Sequence, residues 1–125
     1  MPASRTPPKG APRSTCPIAC ALDLLGDRWT LLIVRDLLRG RSRFGEFSGA
    51  AEGIPTNILS ERLRRLEAAG IITSDAYQEH PPRYAYTLTA KGDALKPVLG
   101  ALAQWSMQFL PRTKPDKELL RLLRG

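Results

Sequence analysis

A single histidine, His80, stands in this chain of 125 residues, and that scarcity excludes a good deal of chemistry. Acid–base and nucleophilic catalysis need a base held beside a nucleophile or a second carboxylate. The sequence offers no such grouping and no glycine-rich phosphate loop, so the chain is expected to be no enzyme, with no catalytic residue and no cofactor. Asp23, Asp27 and Asp36 read instead as helix caps and surface partners. Cysteine is nearly as rare: Cys16 and Cys20, spaced C-x₃-C, with only His80 elsewhere, leave a zinc site short of good ligands, so no metal site is expected. No apolar run approaches the roughly 18 residues of a membrane span. The first 15 positions also lack the apolar stretch of a signal peptide. The expectation is a soluble cytoplasmic protein with no membrane partner, in whose reducing surroundings the cysteines stay unpaired.

What is plentiful is basic charge, but it is unevenly spread. The formal net charge is +7 and the pI about 10.0. Residues 1–15 hold three bases and no acid, residues 111–125 hold five bases against two acids, and residues 16–110 keep 11 bases against 10 acids. Bulk basicity therefore belongs to the tails. In the middle, two local groups stand out: Arg39, Arg41 and Arg43, then Arg62, Arg64 and Arg65. Each is either a set of phosphate contacts or a solvated helix edge.

Periodicity divides the chain. Residues 1–15, with four prolines and few apolar groups, read as a disordered basic arm. Residues 16–110 form one domain. Pro17 opens a short helix ending at Gly26; Asp27 caps the next, Arg28 to Arg39; Ser42 caps a third carrying Phe44 and Phe47. From Pro55 to Gly70 a longer helix buries Leu59, Leu63 and Leu66, spaced i, i+4 and i+7. At about 100° per residue, Asn57, Glu61 and Arg64 then face outward, with Thr56 at the first turn, Ser60 on one flank and Arg65 on the other. These groups suit base edges and phosphates, in a helix of about four turns that fits a major groove.

A hairpin follows directly. Ile71 to Gln78 is rich in β-branched residues, and Arg83 to Thr89 alternates with Tyr84, Tyr86 and Leu88 on one face. Glu79-His80-Pro81-Pro82 makes a polar, proline-stiffened tip that leaves Arg83 at the end of a finger. Such a finger reaches phosphate or a narrow minor groove, or is simply a solvated hairpin. Thr89 caps a last long helix to about Leu110, kinked at Pro97. Its Leu95, Val98, Leu99, Leu102, Trp105 and Phe109 make an apolar stripe suited to a partner subunit. Residues 111–125 form an extension with a short amphipathic helix. The expected fold class is mainly α with a small antiparallel β-hairpin, a winged helix-turn-helix with a long C-terminal dimerisation helix at about 89–110.

Ordered pieces across residues 16–106 resemble the HxlR-type transcriptional regulators, winged-helix proteins related to the MarR group. They include Cys16-Pro17, Leu25-Gly26-Asp27-Arg28-Trp29-Thr30-Leu31-Leu32, Arg35-Asp36-Leu37-Leu38, Arg43-Phe44, Gly53 through Leu63, Pro81-Pro82-Arg83 and Tyr86-Thr87-Leu88-Thr89. The resemblance implies a homodimer on a pseudo-palindromic double-stranded DNA operator. It implies that Thr56, Asn57, Ser60 and Arg64 enter the major groove while Arg83 serves the wing. Many members have Ser-Pro where this chain has Pro55-Thr56, which changes the cap. Arg41 and Arg43 are candidate phosphate contacts, and Glu61 either accepts from a cytosine or pairs with a neighbouring arginine.

Cys16, at a helix start where the dipole favours a thiolate, is a candidate redox sensor or a small buried residue; Cys20 reads as the latter. Some relatives of the resembled family sense oxidants through a cysteine at the Cys16 position. A small-molecule effector would fit between the long helix and the core, near Trp29, Trp105 and Tyr86. The rival to a DNA reader is a winged-helix protein-interaction module.

Overall fold

The computed structural model describes residues 14–124; most of the expected N-terminal arm lies outside the described residues. Helices α1 (Pro17–Leu25), α2 (Thr30–Leu38), α3 (Phe44–Ser48) and α4 (Thr56–Ala68) precede strands β1 (Ile72–Glu79) and β2 (Pro82–Leu88). Helices α5 (Ala90–Asp93), α6 (Lys96–Phe109) and α7 (Lys117–Arg124) complete the chain.

The core is where the periodicity placed it. Val34 of α2 and Leu59 and Leu66 of α4 are 0% exposed, joined by Leu63, Phe47, Ile71 and Ile72. Phe47 meets Tyr86 edge to face at 6.2 Å, which fastens α3 to the second strand. Gly70, at φ 77°, stops α4 as the left-handed residue of a Schellman turn: the N–H of Ile71 donates to the carbonyl of Leu66 and that of Gly70 to Glu67. The turn delivers Ile71 and Ile72 into the core, so the helix and the hairpin are set at a fixed angle.

Strands β1 and β2 pair antiparallel from Ile72↔Leu88 to Glu79↔Pro82. The tip is therefore His80-Pro81 alone, shorter than the four residues expected. Pro82 is accommodated as the first residue of its strand, where its missing N–H costs no ladder bond. Gln78 closes the turn by donating from Nε2 to the carbonyl of Pro81 at 3.1 Å. An irregularity between Ala76 and Gln78 leaves Tyr77 unpaired, a bulge that turns its ring out of the ladder. On the other side of β2, the N–H of Tyr86 donates to the carbonyl of Ser42 at 2.8 Å and Arg43 bridges Ala85. The segment before α3 is thus tied to the wing.

Several boundaries differ from expectation for local reasons. Helix α2 begins at Thr30 and not Arg28, because the Asp27 carboxylate accepts from the N–H groups of Trp29 and Thr30. Helix α3 is capped not by the Ser42 hydroxyl but by Glu46, whose carboxylate reaches back to the N–H groups of Ser42 and Arg43 at 3.0 Å. The long terminal helix is two helices. Pro97 has no N–H to give the carbonyl four residues back, so the chain turns at Ala94 and Leu95, and Pro97 sits in the first turn of α6. Thr89 does cap α5, accepting from Gly92 and donating to the carbonyl of Gly70 at 2.6 Å. A side chain at Gly92 would collide with the Ile71 carbonyl and the Leu88 side chain, so only glycine lets α5 lie against the base of the wing.

The end of the chain folds back on α6. Leu123 is 5% exposed and packs over Gly100. Arg39 holds Asp116 at 2.8 Å, which fixes the entry to α7.

Candidate nucleic-acid interface

Helix α4 is buried on one side and open on the other. Thr56, Asn57, Ser60, Glu61 and Arg64 are all exposed, while Leu59, Leu63 and Leu66 face the core. Arg64 has no ion-pair partner among the described residues. Glu61 pairs with the adjacent Arg62, and Glu67, further along the same side, accepts from the Ser74 hydroxyl at 2.7 Å.

The other two arginines of the group do not join that face. Arg62 donates to Asp27 Oδ2 at 2.9 Å. Arg65, expected to flank the reading face, turns back instead: one Nη donates to Asp27 Oδ1 at 2.9 Å, to Thr30 Oγ1 at 3.1 Å and to the carbonyl of Leu24 at 3.1 Å. The reason is angular. On a helix turning about 100° per residue, Arg62 lies almost opposite Arg64, and Arg65 sits a full flank away. Burial works to raise the Asp27 pKa, but hydrogen bonds from Thr30, Arg62 and the Trp29 N–H prevail and hold the carboxyl well below its ordinary value. A residue read as a simple cap is thus also the anion that organises the α1–α2–α4 junction.

The first arginine group divides the same way. Arg41 pairs at 3.1 Å with Asp36, which is only 2% exposed and also bonded by Arg35, so Asp36 is a buried anchor and not a surface partner. Arg35 in turn grips Glu52 with two bonds of 2.8 and 2.9 Å, and that hydrogen bonding lowers the Glu52 pKa from 4.5 to about 2. Arg43 is exposed, and its guanidinium stacks over the bulged Tyr77 at 4.1 Å. Sequence alone did not mark Tyr77, since a bulge breaks the alternation that would have revealed its direction.

Arg83 is exposed on β2 beside the tip. Between the wing and α4 lies a cleft of about 440 Å³, lined by Ser60, Arg64, Glu67, Ser74, Tyr84 and Tyr86 among others. The three aromatic residues expected to share an effector pocket are dispersed: Tyr86 lines this cleft, Trp29 a pocket against Phe47 and Ile54, and Trp105 an open groove with Ile18. They form no common cavity.

Of the six residues proposed for a subunit contact, Leu99 is 8% exposed in the core and Leu95 packs beside it. Val98, Leu102, Trp105 and Phe109 remain open to solvent, and α1 adds Ile18 at 71% and Leu22 at 58%. Cys16 and Cys20 are both free and exposed, which corrects the expectation that Cys20 is buried. Cys16 is the N-cap of α1, its N–H donating to the Ser14 hydroxyl at 3.0 Å.

A helical core, a helix with an open polar face and an adjoining two-stranded wing define a winged helix-turn-helix protein. The chain matches the HxlR-like helix-turn-helix family over residues 24–114. It is 41% identical over 105 residues to the HTH-type transcriptional regulator sll1512 of Synechocystis, covering 84% of this chain and 78% of that one. Among solved structures, the reduced form of the transcriptional regulator YodB from B. subtilis superposes with a TM-score of 0.65 at 36% identity, covering 81% of this chain and 100% of that one. The redox regulator HypR in its reduced form gives a TM-score of 0.67 at 32% identity, covering 74% of this chain and 91% of that one. This chain belongs to the HxlR-like helix-turn-helix family of transcriptional regulators. No helix among the described residues is long and apolar enough to cross a membrane.

Proposed function

We propose that the protein acts as a homodimer that reads a pseudo-palindromic operator and so controls transcription from a nearby promoter. The observation that carries this reading is the open face of α4, where Arg64 and Asn57 stand exposed, Arg64 without an ion-pair partner among the described residues, beside a wing bearing Arg83 and Arg43. Arg64 suits a bidentate contact to guanine and Asn57 one to adenine, each worth about 1–3 kcal/mol of discrimination. Thr56 and Ser60 reach flanking bases or phosphates, and Arg83 and Arg43 reach the backbone beside them. Support for the second copy is the exposed apolar groove of Ile18, Val98, Leu102 and Trp105. A two-fold through it must set the two α4 helices about 34–36 Å apart to reach successive major grooves. A gel shift on the DNA upstream of the protein's own gene, at two salt concentrations, tests the reading. A specific, strongly salt-dependent complex is expected; binding no tighter than to random DNA favours a protein-interaction module instead.

A second reading concerns an oxidant switch at Cys16. It is supported by the exposure of that thiol at a helix start and by neighbours described as a redox regulator and as a regulator in reduced form. Mass spectrometry and gel shift after mild diamide treatment test it. An unmodified Cys16 with unchanged DNA affinity ends the proposal.

A further inference from the structure

Helix α1 has no buried residue of its own, yet its last turn is hydrogen-bonded to the far end of α4. The connection is polar and concentrated. One Arg65 nitrogen reaches the Leu24 carbonyl that closes α1, the Asp27 carboxylate that starts α2 and the Thr30 hydroxyl, which is 0% exposed; Arg62 takes the other Asp27 oxygen. The Arg65 Nε is buried with no partner, so the side chain is held by its Nη end alone. α4 is otherwise held by its leucine stripe, by the turn at Gly70 and by Ser74, which donates to Glu67 at 2.7 Å; on the α1–α2 side its rotation rests on Asp27. Two charge-assisted bonds from successive turns to one carboxylate fix that rotation.

From this geometry we infer that Arg65 and Asp27 are positioning residues for base reading: the pair sets the rotation of α4 and ties it to the attitude of α1. The inference rests on the DNA-reading role proposed above for the opposite side of α4. Because α1 also carries Ile18 and Leu22 on its open side, whatever seats α1 is mechanically linked to the reading face through this junction.

The role separates from a phosphate contact by sign. If Arg65 met phosphate, Arg65→Met would weaken binding to operator and random DNA alike and lower the salt slope by about 1, while Asp27→Asn, by removing a negative charge, would strengthen both. A positioning pair behaves otherwise. Arg65→Met and Asp27→Asn, opposite in charge, should each reduce the operator-to-random affinity ratio by roughly tenfold, the size of one lost base-pair contact. The salt slope should not change, and the double variant should be no worse than the poorer single one. Arg65→Lys, which keeps one bond, should recover part of the ratio. Amide hydrogen exchange supplies a readout that needs no DNA: α1 should lose protection in Arg65→Met while the α2 core keeps it. Opposite effects of the two substitutions on random DNA, additive losses, or unchanged α1 exchange would overturn the inference. Arg64→Ala serves as the control for the underlying reading. If it leaves base preference intact, the α4 face itself is misassigned, a failure the exchange data on α1 would not share.

Discussion

Helices α4 and α6 carry apolar stripes of the same period, and the fold uses them differently. In α4, Leu59, Leu63 and Leu66 are 2% exposed or less, closed within the chain's own core. In α6 only Leu99 is buried, while Leu102, Trp105 and Phe109 are 50–59% exposed and the rings of Trp105 and Phe109 lie 5.7 Å apart. Periodicity reports an apolar face, and not whether the chain's own core closes it. The polar sides invert the relation: α4 turns its free polar groups outward, whereas the inner side of α6 is taken by α7 through Leu123 and Gly100.

The sharpest way to break the contrast is to cut each stripe. Leu63→Ala should cost about 2–5 kcal/mol of stability, seen in chemical denaturation of dilute protein, because the cavity opens in a closed core. Leu102→Asp, on an open face, should leave the fold of the single chain within about 0.5 kcal/mol. By sedimentation it should nevertheless convert a dimer to monomer and abolish tight operator binding. A Leu102→Asp protein that unfolds, or stays dimeric, would remove the distinction. Next in size, Arg64→Ala should lose about 1–3 kcal/mol at one operator position with little change on random DNA. Arg83→Ala should weaken all sequences alike by a smaller amount, in competition gel shifts. Equal losses for both on both DNAs would sink the division between base reading and wing contact.

The smallest effect is acid sensitivity. Asp27 is depressed below its ordinary 3.8 and Glu52 falls from 4.5 to about 2. Folded values below unfolded ones mean that the stability these groups add is complete above the ordinary values and is lost as pH falls through the folded ones. The thermal midpoint should therefore decline below about pH 4.5, and Asp27→Asn should flatten the decline. The same slope in both proteins would mean that Asp27 contributes no such linkage.

Much of the framework was legible because it rests on local rules. The spacing of Leu59, Leu63 and Leu66, the stop at Gly70, the alternation after Arg83 and the cap at Thr89 need only the nearest turn of chain. Pairings across long sequence distances were not legible. Nothing near Asp27 announces that Arg62 and Arg65 will come to it, although the helical angle already placed Arg62 away from Arg64. Pro97 was read as a kink because a proline inside a periodic run bends or breaks it, and the period alone does not say which. The buried Asp36 was hidden for the same reason as Asp27: its partners Arg35 and Arg41 look like surface charge in the sequence.

The commitment of arginines to internal carboxylates also bears on how the protein finds a target. Of the two arginine groups, only Arg43 and Arg64 lack a carboxylate partner among the described residues. If the protein reads DNA as proposed, these two groups release few counterions, and most of the salt dependence of binding would fall to Arg83 and to the bases outside residues 16–110. On that proposal, long residence would be kept for sites where Arg64 meets its base.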